Sequence, residues 1–323
     1  MHQFLGRKLV AVSVFVAFAL LIGTTGIVIQ NSERVSAQKQ SRKFGATYMT
    51  MNNPFYEIID NEIRSEVEAE GDTLVTRDPA LDVKKQIQQI QEFIQMPVRA
   101  IFLNPVEVDS LQPVLMEARQ AGIPVIVVDS PVSDSSLAAC TVVSDNYGAG
   151  VLCAQYMMKS RKSANIILLE HKIAKSAVDR IRGFEDTIKG HNTYHIVARG
   201  DCVGQLENAM PVMEKLLQQA PEANVVMALN DPSALGAMAA LKDHNLLPKF
   251  LVYGVDGSPE AKAMVKEGNM AATAAQFPSK IGKIAAEQMY HIVNGEAHET
   301  ICSVPVQLIS KENVDIFGTD GWQ

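Results

Sequence analysis

The chain has 323 residues, 47% of them hydrophobic and 20% charged, with a formal net charge of −7. That length suggests two domains or one large one, and that composition excludes a disordered chain. No basic block stands out, so nucleic acid is not an expected partner. The cysteines, Cys140, Cys153, Cys202 and Cys302, form no CxxC pair. They exclude a disulfide-stapled mini-protein, a zinc ribbon and a thioredoxin-type site.

Arg7 and Lys8 precede an uncharged apolar run from Leu9 to Ile29. Positive charge followed by an apolar core is an export signature. Two readings fit. Val35-Ser36-Ala37 suits the small-x-small rule for a cleaved signal peptide. Alternatively, a run of about 21 residues is long enough to stay as a membrane anchor crossing roughly 30 Å of hydrocarbon. Either places the rest of the chain outside the cytoplasm, in the periplasm or at the cell surface. No cysteine follows the run, so a lipoprotein anchor is not available. Residues 1–37 are therefore read as signal or anchor, and 38–43 as a polar linker.

From there, short apolar runs alternate with amphipathic stretches. Gly45–Met51 reads as a strand, and Phe55–Glu70 as a helix with Ile58, Ile59, Ile63 and Val67 at helical spacing. Thr73–Thr76 (strand), Val83–Ile94 (helix), Val98–Leu103 (strand), Asp109–Ala121 (helix) and Pro124–Val128 (strand) follow. The rhythm restarts at Cys140–Val143. Later strands are expected at Ala164–Leu169, Tyr194–Ala198, Asn224–Ala228, Leu251–Val255, Ala271–Ala275 and Val304–Ile309. Helices are expected at Tyr147–Lys159, Ala177–Lys189, Gln205–Gln219, Pro232–His244, Pro259–Glu267 and Ser279–Asn294. Strands apolar on both faces, alternating with helices, indicate an α/β fold with parallel sheets covered by helices. The turn-rich stretch Ser130–Ala139 suggests a break between two lobes. Lobe 1 is expected over about 44–143 with a returning segment at about 278–302. Lobe 2 is expected over about 144–277 plus the last strand, with 314–323 as a tail.

Ligands of open α/β sheets bind beyond the carboxyl ends of the strands. Asn52, Asn53, Phe55, Tyr56, Arg77, Asp78, Asn104 and Asp129 fall there in the first half. Glu170, His171, Arg199, Asn230, Asp231, Asp256 and Gln276 do so in the second. Carboxylates and amides bond hydroxyl groups, and an aromatic face covers the C–H side of a sugar ring. Each Asn or Asp alone is as well explained as a helix cap.

Met49-Thr50-Met51-Asn52-Asn53-Pro54-Phe55-Tyr56 resembles the first strand–helix junction of ribose-type periplasmic sugar-binding proteins. Asn230-Asp231-Pro232-Ser233-Ala234-Leu235-Gly236 resembles a later junction of that family. Val252 to Pro259 (VYGVDGSP) resembles its GxDG turn, and Ala271 to Gln276 (AATAAQ) its AAT…Q strand. Ser144-Asp145-Asn146 resembles its hinge. The motifs stand in family order and cover about Lys43 to Asn313. The resemblance implies two Rossmann-like lobes joined by a three-strand hinge and closing on a sugar. It implies that Asn53, Asp129, Asn230, Asp256 and Gln276 bond hydroxyls and that Phe55 and Tyr56 flank the ring. Arg180 stands at the arginine-bearing helix start, though the register also admits position 178, here Val178. Ser130 replaces an arginine frequent in ribose binders, and Asp201-Cys202-Val203 stands where an aromatic is expected. Those departures leave another pentose, a hexose or another small polyol open.

No cofactor is expected: GxGxxG after the first strand, GxxxxGK[ST] and GxSxG are all missing. No metal is expected either, since His191 and His195 lack an acidic partner. His171 ends a strand at the ligand edge, where a helix-approach or surface histidine is the simpler reading. Asp129 and Asp256 as an acid–base pair would lack a nucleophile, so an enzyme is not expected. A transcriptional regulator would carry a helix-turn-helix where the apolar run stands. The expected role is sugar capture for an ABC permease. The alternative is an anchored sensor presenting its closed state to a membrane histidine kinase. Cys140 and Cys302, both flanking crossover segments, are expected to lie close enough to pair.

Overall fold

The computed structural model describes residues 41–323, so the expected signal or anchor segment and residues 38–40 of the expected linker lie outside the described residues. Among the described residues no helix is long and apolar enough to cross a membrane. The fold is already under way at Arg42, whose guanidinium pairs with buried Asp72 at 2.9 Å.

The first sheet is built from β1 (Lys43–Thr47), β2 (Thr73–Arg77), β3 (Val98–Leu103), β4 (Val125–Val128), β5 (Cys140–Ser144) and β11 (Ile301–Val304). Between its strands run α1 (Pro54–Ala69), α2 (Val83–Gln95) and α3 (Gln112–Gln120). Strand order is β11-β5-β4-β3-β1-β2, parallel throughout. The second sheet contains β6 (Ala164–Glu170), β7 (Tyr194–Asp201), β8 (Val225–Ala228), β9 (Leu251–Asp256), β10 (Ala272–Ala275) and β12 (Gln307–Ser310). Its helices are α4 (Asn146–Ser160), α5 (Lys175–Ile188), α6 (Leu206–Gln219), α7 (Asp231–Asp243) and α8 (Pro259–Glu267). Strand order is β12-β10-β9-β8-β6-β7, with only β12 antiparallel. Both lobes thus share one doubly wound order, with the switch points at β1/β3 and β6/β8. Helix α9 (Pro278–Asn294) returns to pack on α1 in the first lobe, and α10 (Val314–Phe317) follows β12.

The two α/β lobes follow from strands that are apolar on both faces. Val98, Ile101 and Leu103 face one core of lobe 1, and Ala100 and Phe102 face the other. Expected and observed elements differ mainly at their ends. Two differences are larger. The expected strand Val304–Ile309 is two strands, one in each sheet, parted where Pro305 removes a backbone donor and the chain changes lobes. The break is also not at Ser130–Ala139. That turn-rich stretch links adjacent strands β4 and β5 through a single 3-10 turn at Ser135–Leu137. The chain first leaves lobe 1 after Ser144, and recrosses between Ala275 and Pro278 and between Val304 and Gln307.

Cys140 and Cys302 lie side by side, as expected, and all four cysteines are buried free thiols. The register sets Cys302 opposite Val142, which leaves Cys140 a diagonal neighbour. Burial pushes the Cys140 thiol up to about 12, with Cys302 beside it adding to the shift.

One close approach carries into the site. Helices α4 and α5 cross at Gly150, where a Cβ would stand 1.9 Å from the Arg180 carbonyl oxygen. Gly150→Ala should therefore push α5 outward, costing about 1–3 kcal/mol by overpacking. Chemical unfolding should show the loss, and ligand affinity should fall with it because α5 carries Arg180.

Candidate functional site

The carboxyl ends of both sheets face one another across a narrow cleft lined by polar and aromatic side chains. Every candidate singled out from the resemblance lines it: Asn53, Phe55, Tyr56, Asp129, Arg180, Asn230, Asp256 and Gln276. The sequence fold explains the convergence. Apart from Arg180, in the second turn of α5, each follows a strand or opens the helix after one, at the edge where the two lobes meet.

Asp129 follows β4 with φ 64°, and Asp256 ends β9 with φ 139°. Positive φ is unfavourable for a residue with a Cβ, and such strain gathers at functional sites. Here it occurs at matching positions of the two lobes. Asp129 accepts bonds at Oδ2 from Tyr56 (3.3 Å) and Asn104 (3.1 Å), while its Oδ1 is buried without a partner. Asp256 accepts from Gln276 Nε2 at 2.8 Å, and the Gln276 Oε1 is left buried without a partner.

Arg180 lies between them. It is 4% exposed, with nitrogens 3.8 Å from Asp129 and 3.6 Å from Asp256. Its Nε donates to Asn146 Oδ1 at 2.7 Å, and Nη1 donates to the Leu229 carbonyl at 3.0 Å. The hinge asparagine therefore aims the guanidinium. Of the two positions the register admits, Arg180 lines the cleft, whereas Val178 is 39% exposed and does not. Two cleft carboxylates share this one cation, with a third, Asp231, behind Asp256. Burial raises the Asp129 and Asp256 carboxyls above their usual range, opposed by Arg180. Asp231 is raised too, by burial, although Thr273 and the Ser258 N–H bond it.

Asn53 and Asn230 serve as helix caps as well. Asn53 Oδ1 accepts from Phe55 N at 3.0 Å, and Asn230 Oδ1 from Ser233 N at 3.0 Å. Asn230 Nδ2 also holds the Gly204 carbonyl at 2.9 Å. A primary amide has two N–H donors, so capping does not use up either side chain. Phe55 and Tyr56 meet edge-on, with ring centroids 5.5 Å apart.

Of the other strand-end candidates, Glu170 and Arg199 pair with each other at 2.8 Å, and Arg77 pairs with Glu92 at 3.9 Å. Asp78 organises its own loop through the Ala80 and Met51 amides. None of these four lines the cleft. His171 does line it, and is buried where a helix-approach or surface histidine was expected. Its Nδ1 is buried without a hydrogen bond, 3.9 Å from Asp201. Burial lowers its pKa, opposed by Asp201, which favours the neutral ring. Ser176 and Gln205 also line the cleft and were not singled out; each lies at a helix start, where polar residues are ordinary caps and carry no signal of their own. Ser176 donates its backbone N–H to Ser130 Oγ across the lobes at 3.3 Å. Ser130, the residue in place of the family arginine, thus makes a direct contact between lobes. Where an aromatic was expected after β7, Val203 and Gln205 stand instead.

A protein-family model described as a periplasmic binding protein domain matches residues 44–297. The ribose import binding protein RbsB of Bacillus subtilis is 30% identical over 84% of this chain and 88% of its own length. A solved ABC transporter solute-binding protein from Mycobacterium smegmatis, with bound glycerol, superposes with a TM-score of 0.83 at 30% identity. It covers 87% of this chain and 99% of that one. Another, from Bacillus halodurans with bound myo-inositol, gives a TM-score of 0.81 at 25% identity, covering 86% and 97%.

Proposed function

The chain belongs to the periplasmic binding protein family, and on that premise we propose that its cleft captures an uncharged polyhydroxyl ligand, a sugar or small polyol. The carrying observation is a pair of buried acceptors without a hydrogen-bond donor, Asp129 Oδ1 and Gln276 Oε1. Such groups are costly when unpaired, and ligand hydroxyls supply the missing donors. Arg180 donates in return, with Asn53 and Asn230 adding N–H groups. Phe55 and Tyr56 cover the C–H face of the ring. Two cleft carboxylates against one guanidinium disfavour an anionic ligand.

The relatives' ligands are in keeping with this: ribose for RbsB, and glycerol and myo-inositol in the two solved structures. The Ser130 substitution and the missing aromatic favour a ligand other than ribose, since a guanidinium fork and a ring set orientation. Closure of 44–144 with 278–304 onto 145–277 with 307–310 desolvates the ligand from both sides. Ligand then favours the closed state by its differential affinity. We assign the loaded protein to an ABC permease on the outer side of the membrane. The family and the export signature at Arg7–Ile29 support that location. No observation on the described residues favours the sensor reading.

A thermal-shift screen of the protein against pentoses, hexoses, inositols and linear polyols tests this. At 100-fold excess over Kd, a true ligand adds about 2.7 kcal/mol of stability. A clear rise in Tm with one class of polyol is expected. No rise with any would remove the proposal.

A further inference from the structure

The last three residues of the sequence do more than trail from the fold. Gln323 Nε2 donates to the Asp256 carbonyl at 2.9 Å and to the Gln276 carbonyl. Two carbonyl acceptors fix which end of the amide carries the nitrogen. The site is shaped to receive it. Gly257, at φ +73°, has no Cβ, and one placed there would stand 2.7 Å from that nitrogen. One residue earlier, the Trp322 ring packs on Phe55 at 5.7 Å between centroids and joins the core of lobe 1. One earlier still, the Gly321 carbonyl accepts from Lys262 Nζ at 2.6 Å, and Lys262 is fully buried in α8.

Residues 321–323 therefore grip lobe 2 at Lys262, Asp256 and Gln276, and lobe 1 at Phe55. We propose that Gly321–Gln323 is a strap across one flank of the cleft that positions the ligand-binding groups. Gln323 fixes the backbone of Asp256 and Gln276 from behind, and Trp322 seats the Phe55 ring. Trp322 and Gln323 are positioning residues, and the strap sets ligand affinity. This rests on the polyol-binding reading above.

The chain's only tryptophan is Trp322, so intrinsic emission reports on the strap alone. The test uses the full chain, titrated calorimetrically with D-ribose, myo-inositol and xylitol, and quenched with acrylamide. Gln323→Ala and Gln323→Glu each remove both donated bonds, the second at nearly constant shape. Each should weaken the polyol that binds best by about tenfold, two neutral hydrogen bonds' worth. Trp322→Phe should retain more affinity than Trp322→Ala, which separates ring packing from general loss of structure. In the wild type that polyol should alter tryptophan emission, and Lys262→Met should raise acrylamide quenching. If the wild type binds and the Gln323 and Trp322 variants bind equally well, the strap is overturned. If no polyol binds the wild type, the polyol-binding reading fails, and this proposal with it.

Discussion

Arg180→Met should abolish polyol binding, by about 1,000-fold or more, and lower stability by about 3–5 kcal/mol. The guanidinium is buried and is the cation placed between Asp129 and Asp256. Removing one partner of a buried charge cluster leaves the others uncompensated, which is among the costliest single changes. The Leu229 carbonyl and the Asn146 amide oxygen would lose their donors as well. Urea unfolding gives the stability change, and calorimetric titration gives the affinity. Retained binding would show that Arg180 braces the hinge and does not touch ligand.

Asp256→Asn should separate affinity from stability. At pH 9, where the carboxyl is ionised, its loss should weaken binding by about 100-fold, because bonds from hydroxyls to a charged acceptor are the strong ones. Stability should move the other way. Burial pushes the Asp256 carboxyl up to about 8, opposed by Arg180, with Asp231 and Asp129 adding to the rise. The unfolded chain releases this proton near pH 4, while the folded chain holds it to about pH 8. The folded state therefore binds more protons in between, and wild-type stability falls as pH rises from about 4 to 8. Asparagine removes that slope. The variant should gain on the wild type by about 1–3 kcal/mol at pH 8, with little difference at pH 4. Urea midpoints at pH 4, 6 and 8 measure the trend. A gap that narrows as pH rises would mean that Asp256 is ionised in the folded state through its Arg180 contact.

The cleft residues were legible because doubly wound sheets place their binding groups by a local rule. Asn53, Asp129, Asn230, Asp256 and Gln276 each follow an apolar strand that periodicity alone locates. Capping and binding use the same residue types, so Asn53 and Asn230 look alike under either role and prove to have the capping one built in. The strap was not legible. Trp322 and Gln323 meet Phe55 and Asp256 through contacts more than sixty residues apart in sequence, and no periodicity encodes such a return. The division of Val304–Ile309 into two strands escaped for the same reason. Pro305 marks a break, but not that the chain changes sheets there. Cys140 and Cys302 were correctly expected to be neighbours through their flanking strands. Whether neighbours bridge depends on a register of one or two residues, which composition does not fix.

A cleft built for uncharged hydroxyl-rich ligands should reject anionic ones. Parallel calorimetric titrations test it most directly, pairing the strongest polyol from the thermal screen with the corresponding sugar acid. The neutral compound should bind saturably and one-to-one, and the acid about 100-fold more weakly, since its carboxylate meets Asp129 and Asp256. Equal or tighter binding of the acid would contradict this, and would make Arg180 an anion anchor.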